Sequence, residues 1–89
     1  MDYNISFRED VESAFENLSR EEVNRVQDKL EEVANHEFRS PKDWFKSWKK
    51  HPAGNRFDIG PYRVFAEVNT CEREIIVYET KYRENLYRG

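Results

Sequence analysis

Residues 56–69 read RFDIGPYRVFAEVN, and their pattern is the strongest indication of the fold in the chain. Apolar and polar side chains alternate on both sides of Gly60-Pro61, which is the pattern of two half-buried strands joined by a turn. Ile75 to Tyr82 forms a further apolar segment, and the polar residues 69–73 before it are typical of a hairpin loop. The sequence therefore predicts three consecutive antiparallel strands in this half of the chain.

The first forty residues contain neither Gly nor Pro and can therefore form long helix. Tyr3 to Phe7 alternates between apolar and polar residues and indicates a short strand. Residues 11–18 have apolar side chains at helical spacing, and Ser19 with Glu22 has the spacing of a capping box that begins a second helix. The apolar stripe of this second helix consists of Val23, Val26, Leu30, Val33 and Ala34. The predicted order is β-α-α-β-β-β, an α+β fold with two N-terminal helices packed on one face of an antiparallel sheet.

Length and composition limit the classes of protein to which the chain can belong. At 89 residues, the chain is predicted to form a single small domain, residues 1–89. Its longest apolar run, Ile75 to Tyr78, is far shorter than the roughly 20 residues of a membrane helix, so no membrane partner is expected. The N-terminus lacks the features of a signal peptide, and a single cysteine cannot form an internal disulfide. We therefore expect a cytoplasmic protein.

Charge is distributed unevenly along the chain, whose formal net charge is −3. Residues 1–45 carry 12 acidic and 6 basic side chains, whereas residues 46–89 carry 6 acidic and 9 basic side chains. The two halves are therefore expected to face different partners.

Alternation along the strands assigns side chains to the two faces of the predicted sheet. The face toward the helices takes the apolar set Phe57, Ile59, Tyr62, Val64, Ala66 and Val68. The opposite face takes Arg56, Asp58, Arg63, Phe65 and Glu67. A hairpin centred on Cys71 adds Ile76 and Tyr78 to the helix face. The same register adds to the opposite face Ile75, Val77, Glu79, Lys81 and Arg83.

The face opposite the helices is thus predicted to be an uncovered basic surface. Its cations are Arg56, Arg63, Lys81 and Arg83, and Tyr87 follows at the same parity. A guanidinium group can bind two phosphate oxygens at once, and a tyrosine can stack on a nucleotide. This surface therefore suits a phosphate backbone. The predicted register also sets Arg63 opposite Glu79, and such a cross-strand ion pair needs no function. Both interpretations remain open from the pattern alone.

Three features together resemble the RelE/ParE superfamily of type II toxins. They are the predicted element order, the segment Ile59 to Phe65 (IGPYRVF) and the ending Tyr82 to Tyr87 (YRENLY). In this family, a strand beginning with glycine, a spacer and Tyr-Arg follows the helical pair, and the last strand ends in a basic residue followed by tyrosine. The resemblance extends from Tyr3 to Arg88, nearly the whole chain.

The resemblance implies a RelE-like fold and a toxin of a type II toxin-antitoxin system, held inactive by a cognate antitoxin protein. RelE-like members are mRNA interferases, which bind the ribosome and inhibit translation by cutting messenger RNA in the decoding site without metal or cofactor. ParE-like members bind DNA gyrase and do not cut RNA. We expect the RelE-like endoribonuclease, with the ribosome and mRNA as partners. The alternatives are a ParE-like gyrase inhibitor and a catalytically inactive member that acts as a protein-binding module.

The catalytic residues implied by the resemblance are Arg63, Arg83 and Tyr87. In the RelE-like mechanism, the ribose 2′-hydroxyl attacks the adjacent phosphate, and Arg63 would stabilise the transition state. Arg83 would contact the scissile phosphate or help to protonate the leaving group, and Tyr87 would orient the nucleotide and assist proton transfer. The supporting RNA-binding cations on the same face are Arg56 and Lys81.

Asp58 departs from the family pattern. It lies where a second lysine of the RelE-like active site is expected, so it places an anion next to a substrate phosphate. This difference favours the two alternative functions.

Residues 42–50 form a dense basic and aromatic segment, KDWFKSWKK. As a nucleic-acid contact, it would bind phosphates through Lys46, Lys49 and Lys50 and stack bases on its indoles. Alternatively, its aromatic rings close one end of a small core while the lysines face water. His36, His51 and Cys71 lack the spacing of metal ligands and are expected to be incidental, so we predict no metal site and no cofactor.

Overall fold

The computed structural model describes residues 2–82 and shows an α+β protein, as predicted. The first helices and strand are β1 (Asn4–Phe7), α1 (Val11–Ala14) and α2 (Arg20–Ala34). A 3₁₀ turn (Pro41–Asp43) precedes the four remaining strands, which are β2 (Lys46–Ser47), β3 (Asn55–Ile59), β4 (Tyr62–Asn69) and β5 (Glu74–Tyr82). The 3₁₀ turn and the two-residue strand β2 were not predicted. Arg83 and Tyr87 lie outside the described residues.

The five strands form one sheet in the order β1-β5-β4-β3-β2. Four consecutive strands pair antiparallel from β2 to β5, but β1 pairs parallel with β5, so the sheet is mixed and the prediction of an antiparallel sheet was wrong in this respect. A parallel pair needs a long connection, and here both helices and three strands separate the two partners along the chain.

Both predicted helix starts carry side-chain caps. At α2 the predicted capping box is present: the Ser19 hydroxyl accepts from the Glu22 N–H (3.2 Å), and the Glu22 carboxylate accepts from the Ser19 N–H (2.9 Å). The Asp10 carboxylate caps α1 by accepting from the Ser13 N–H. These contacts satisfy amides that have no partner within the helix. The hydrogen bonds from the Ser19 amide and the Tyr62 hydroxyl lower the pKa of the Glu22 carboxyl.

The core lies between the helices and one face of the sheet, called here the helix face. From α2 it receives four buried residues of the predicted stripe, Val26, Leu30, Val33 and Ala34. From the sheet it receives Ile59, Tyr62, Val64, Ala66, Ile75 and Val77. Among the described residues, no helix is long and apolar enough to span a bilayer.

The hairpin between β4 and β5 differs from the predicted register by one residue. Val68 pairs with Ile75 and Ala66 pairs with Val77, so Ile75 and Val77 lie on the helix face, where both are fully buried. The assignment of these two residues to the opposite face was therefore wrong. The assignment of Ile76 and Tyr78 to the helix face was wrong too, since Ile76 pairs with Glu67 and the Tyr78 hydroxyl donates to Glu67. The physical reason is the loop, which has four residues instead of the expected five and includes Arg73 at a φ of 55°.

A β-bulge then restores the predicted face for the end of β5. The register shifts between Phe65 and Ala66, so that Phe65 pairs with Glu79 and Arg63 pairs with Lys81. Glu79 and Lys81 consequently lie opposite the helices, as predicted. The expected Arg63–Glu79 pair is replaced by Arg63 opposite Lys81.

Candidate functional site

The face of the sheet opposite the helices, called here the distal face, brings together charged side chains from four strands. One row of directly paired residues across the sheet consists of Lys46, Arg56, Phe65 and Glu79. The neighbouring row consists of Asp58, Arg63 and Lys81. Because paired residues on neighbouring strands share a face, Arg56, Arg63 and Lys81 lie on the same side of the sheet, as alternation predicts.

A loop, residues 48–54, covers part of the distal face, which was predicted to be uncovered. It is closed by a hydrogen bond from the Trp48 N–H to the Gly54 carbonyl (2.8 Å) and one from the Gly54 N–H to the His51 carbonyl (2.9 Å). Gly54 adopts a φ of 83°, which a residue without Cβ reaches at little cost. Under this loop, Phe65 and Arg63 are buried. The basic surface is therefore a partly covered cleft.

Trp48 packs against the two central arginines. The guanidinium carbons of Arg56 and Arg63 lie 4.5 and 5.7 Å from the centre of its ring. The aromatic face attracts both cations, and it restricts the positions that their side chains can adopt. Only 16% of the Arg56 side chain and 11% of the Arg63 side chain are exposed.

Asp58 bridges the same two arginines. Its Oδ1 accepts from Arg63 Nε at 2.9 Å, and its Oδ2 accepts from Arg56 Nη1 at 3.1 Å. Burial alone raises the pKa of the Asp58 carboxyl, but the hydrogen bond from Arg63 and the charges of both arginines outweigh it, so the pKa is lowered. Asp58 is therefore an anion at neutral pH and offsets part of the positive charge of the cleft.

A cavity of about 230 Å³ opens beside this cluster. It lies at the edge of β3, where the short strand β2 leaves the end of β3 unpaired. Its walls are formed by Trp44, Lys46, Arg56, Phe57 and Asp58. The cavity gives solute molecules a route to the charged groups of Lys46, Arg56 and Asp58.

His51 fixes the covering loop to the sheet, a role that the sequence pattern did not indicate. Its ring stacks on Phe65 with centroids 4.1 Å apart, and its Nε2 lies 2.5 Å from a Glu79 carboxylate oxygen. The Ala53 N–H donates to Nδ1, so the ring proton is on Nε2 and is donated to Glu79. Glu79 lies 28 residues along the chain from His51, so no local motif reveals this contact.

The aromatic residues of segment 42–50 pack, whereas its lysines face water. Phe45 is buried in the core, and Trp44 contacts Phe57 edge to face on the same side of the sheet. Trp48 alone among these rings contacts the arginines of the distal face. The candidate RNA-binding lysines Lys46, Lys49 and Lys50 are exposed. The segment thus combines a core-closing role with a solvated basic rim.

Of the three predicted catalytic residues, Arg63 lies within the described residues, whereas Arg83 and Tyr87 do not. Residues 2–82 contain no group of three or more His, Cys, Asp or Glu side chains arranged to hold a metal ion.

No protein-family model and no curated protein matches the sequence. The geometry itself provides donors for an anion: two restrained guanidinium groups, with the ammonium groups of Lys46 and Lys81 on neighbouring strands.

Proposed function

We propose that the chain is a RelE-like toxin of a type II toxin-antitoxin system that cuts messenger RNA on the ribosome. The observation that carries the proposal is that Arg56, Arg63 and Lys81, from three neighbouring strands, share the face of the sheet opposite the helices. The resemblance of residues 59–65 and 82–87 to the RelE/ParE superfamily supports it, as does the α+β architecture.

In the proposed reaction, the ribose 2′-oxygen attacks the adjacent phosphorus and the bond to the 5′-oxygen breaks. The products are a 2′,3′-cyclic phosphate and a 5′-hydroxyl, so the 2′-hydroxyl loses a proton and the leaving oxygen gains one. Arg63, restrained by Trp48 and Asp58, would stabilise the negative charge that develops on the phosphate oxygens. Arg83 would contact the scissile phosphate or aid protonation, and Tyr87 would orient the nucleotide.

Partners follow from the same proposal. The ribosome and mRNA would meet the basic rim of Lys46, Lys49, Lys50 and Lys81, and a cognate antitoxin would hold the toxin inactive in the cytoplasm. Phosphate contacts of this kind weaken steeply as salt concentration rises.

One observation favours the second candidate, a ParE-like or catalytically inactive member that binds a protein. Asp58 neutralises part of the charge of Arg56 and Arg63, which lowers the attraction of the cleft for a polyanion. An acidic protein segment requires less positive charge than an RNA chain, so a binding module would tolerate this carboxylate.

Induced expression in a bacterial host separates the candidates. The proposed function predicts growth arrest with loss of radiolabelled amino-acid incorporation, relief by Arg63→Gln, and no relief by Arg25→Gln, which removes an exposed arginine from α2. Growth arrest with normal protein synthesis and inhibited gyrase supercoiling would instead establish the ParE-like function. Unimpaired growth with folded protein would contradict both toxin functions.

A further inference from the structure

We propose that Asp58 is an internal competitor for the phosphate of RNA: its carboxylate occupies the anion position between Arg56 and Arg63, and a phosphodiester binds by displacing it. The inference rests on the proposed function, which supplies the phosphodiester. RNA binding then exchanges one anion, the Asp58 carboxylate, for another, the RNA phosphate.

The hydrogen bonds of Asp58 are those that a phosphate would form. Two carboxylate oxygens accept one N–H each from two different arginines, over 2.9 and 3.1 Å. Phosphate oxygens accept charge-assisted bonds of the same kind from guanidinium groups. The site is therefore built for an anion and already holds one.

The position of Asp58 also controls access to the arginines. Trp48 covers both guanidinium groups, and the arginine side chains are only 16% and 11% exposed. Asp58, with 32% of its side chain exposed, is more open than either arginine. It also lines the cavity of about 230 Å³ together with Arg56 and Lys46. An anion in this cavity therefore has both the Lys46 side chain and the Asp58 carboxylate within the same walls.

Arg56 has a further hydrogen-bond donor, its Nε–H, for a larger anion. Its Nε is buried and has no hydrogen-bond partner among the described residues, because Asp58 accepts only from Nη1. A buried donor without a partner is unfavourable, and a phosphate offers more oxygens than a carboxylate. Replacement of Asp58 by a phosphate would therefore satisfy a donor that has no partner within residues 2–82 of the free protein.

The test compares Asp58→Asn with wild type for binding of a fluorescein-labelled 2′-O-methyl oligouridylate, which cannot be cleaved because its 2′-oxygens are blocked. Anisotropy is measured at one fixed salt concentration, since affinity for RNA depends strongly on salt. Loss of the competing charge should tighten binding by about tenfold. Glu72→Gln, which removes the same charge from the exposed β4–β5 loop, should change affinity by less than about twofold.

A measurement on the wild-type protein keeps the test independent of variant folding. During titration with the same oligonucleotide, the Asp58 carboxyl carbon and the Arg63 Nε–H resonances should shift together as the pair separates. Wild-type binding with unmoved resonances, or Asp58→Asn that binds equally or more weakly, overturns the competition and leaves RNA binding intact. Absence of binding by both proteins also overturns the competition, whereas the proposed function fails only if the folded protein does not cut mRNA on programmed ribosomes.

Discussion

Arg63 and Asp58 are directly opposed on neighbouring strands, and Arg63 Nε donates a 2.9 Å hydrogen bond to Asp58 Oδ1. The same carboxylate accepts from Arg56, two residues before it on its own strand. Three residues that strand alternation assigns to one face are thus joined by two ion pairs. The cations proposed to bind RNA are held by an anion that the chain provides.

This relationship predicts how stability responds to acid. The pKa of Asp58 is lower in the folded protein than in the unfolded chain, so its contribution is complete above the unfolded value of about 3.9 and is lost as pH falls through the folded value. Urea unfolding at pH values between neutral and strongly acidic should show a smaller decline for Asp58→Asn than for wild type. Glu72→Gln is the charge-matched control. Parallel declines in wild type and Asp58→Asn would show that the ion pairs contribute nothing.

The two tryptophans should respond differently to truncation. Trp44 packs against Phe57 beside the core, so Trp44→Ala should lower the free energy of unfolding by about 3 kcal/mol. Trp48→Ala removes the surface that restrains Arg56 and Arg63, so it should weaken oligouridylate binding with a smaller loss of stability.

Urea unfolding and fluorescence anisotropy on the same preparations measure both effects. Unchanged RNA affinity in folded Trp48→Ala would mean that the indole has a packing role alone.

His51 should determine the stability of the covering loop. His51→Ala removes the stack on Phe65, the bond to Glu79 and the acceptor for Ala53, so amides of residues 48–54 should exchange with deuterium at least about tenfold faster. His36→Ala is the matched control, because His36 accepts from the backbone N–H groups of Phe38 and Arg39 in a different loop. If the amides of residues 48–54 exchanged at equal rates in the two variants, the backbone hydrogen bonds of the loop, and not His51, would hold it in place.

The capping box should contribute measurably to the stability of α2. Ser19→Ala removes the acceptor for the Glu22 N–H and should lower the free energy of unfolding by about 1 kcal/mol. Ser47→Ala, on an exposed strand, should change it by less than about 0.5 kcal/mol. Urea unfolding at neutral pH measures both changes in free energy. An equal loss in the two variants would show that the cap does not stabilise α2.

Local patterns were sufficient to predict much of the fold. The Ser19 and Glu22 spacing located the start of α2, and alternation in residues 56–69 assigned Arg56, Asp58 and Arg63 to the face opposite the helices. The β4–β5 register failed because a loop shorter by one residue moves every following side chain to the other face, and the bulge that corrects this has no local signal. The parallel pairing of β1 also depends on the tertiary structure alone.

The candidate site was predictable only in the charged side chains that share a face of the sheet. That Asp58 shares a face with Arg56 and Arg63 followed from alternation, but the covering loop did not, because its contacts join residues far apart in sequence. In the folded sheet, His51 contacts Glu79 and Phe65, and Trp48 contacts Arg63. Such contacts are determined by packing and leave no periodic pattern.

Primer-extension mapping of mRNA cleavage on programmed ribosomes with purified protein tests the proposed ribonuclease function. Wild type should cut in the decoding site, leave naked RNA intact, and lose about 100-fold or more of its activity in Arg63→Gln and in Arg83→Gln. Arg25→Gln should cut like wild type, since Arg25 lies on the exposed side of α2. Absence of cuts by folded wild-type protein, or undiminished cutting by folded Arg63→Gln, would contradict the proposed ribonuclease function.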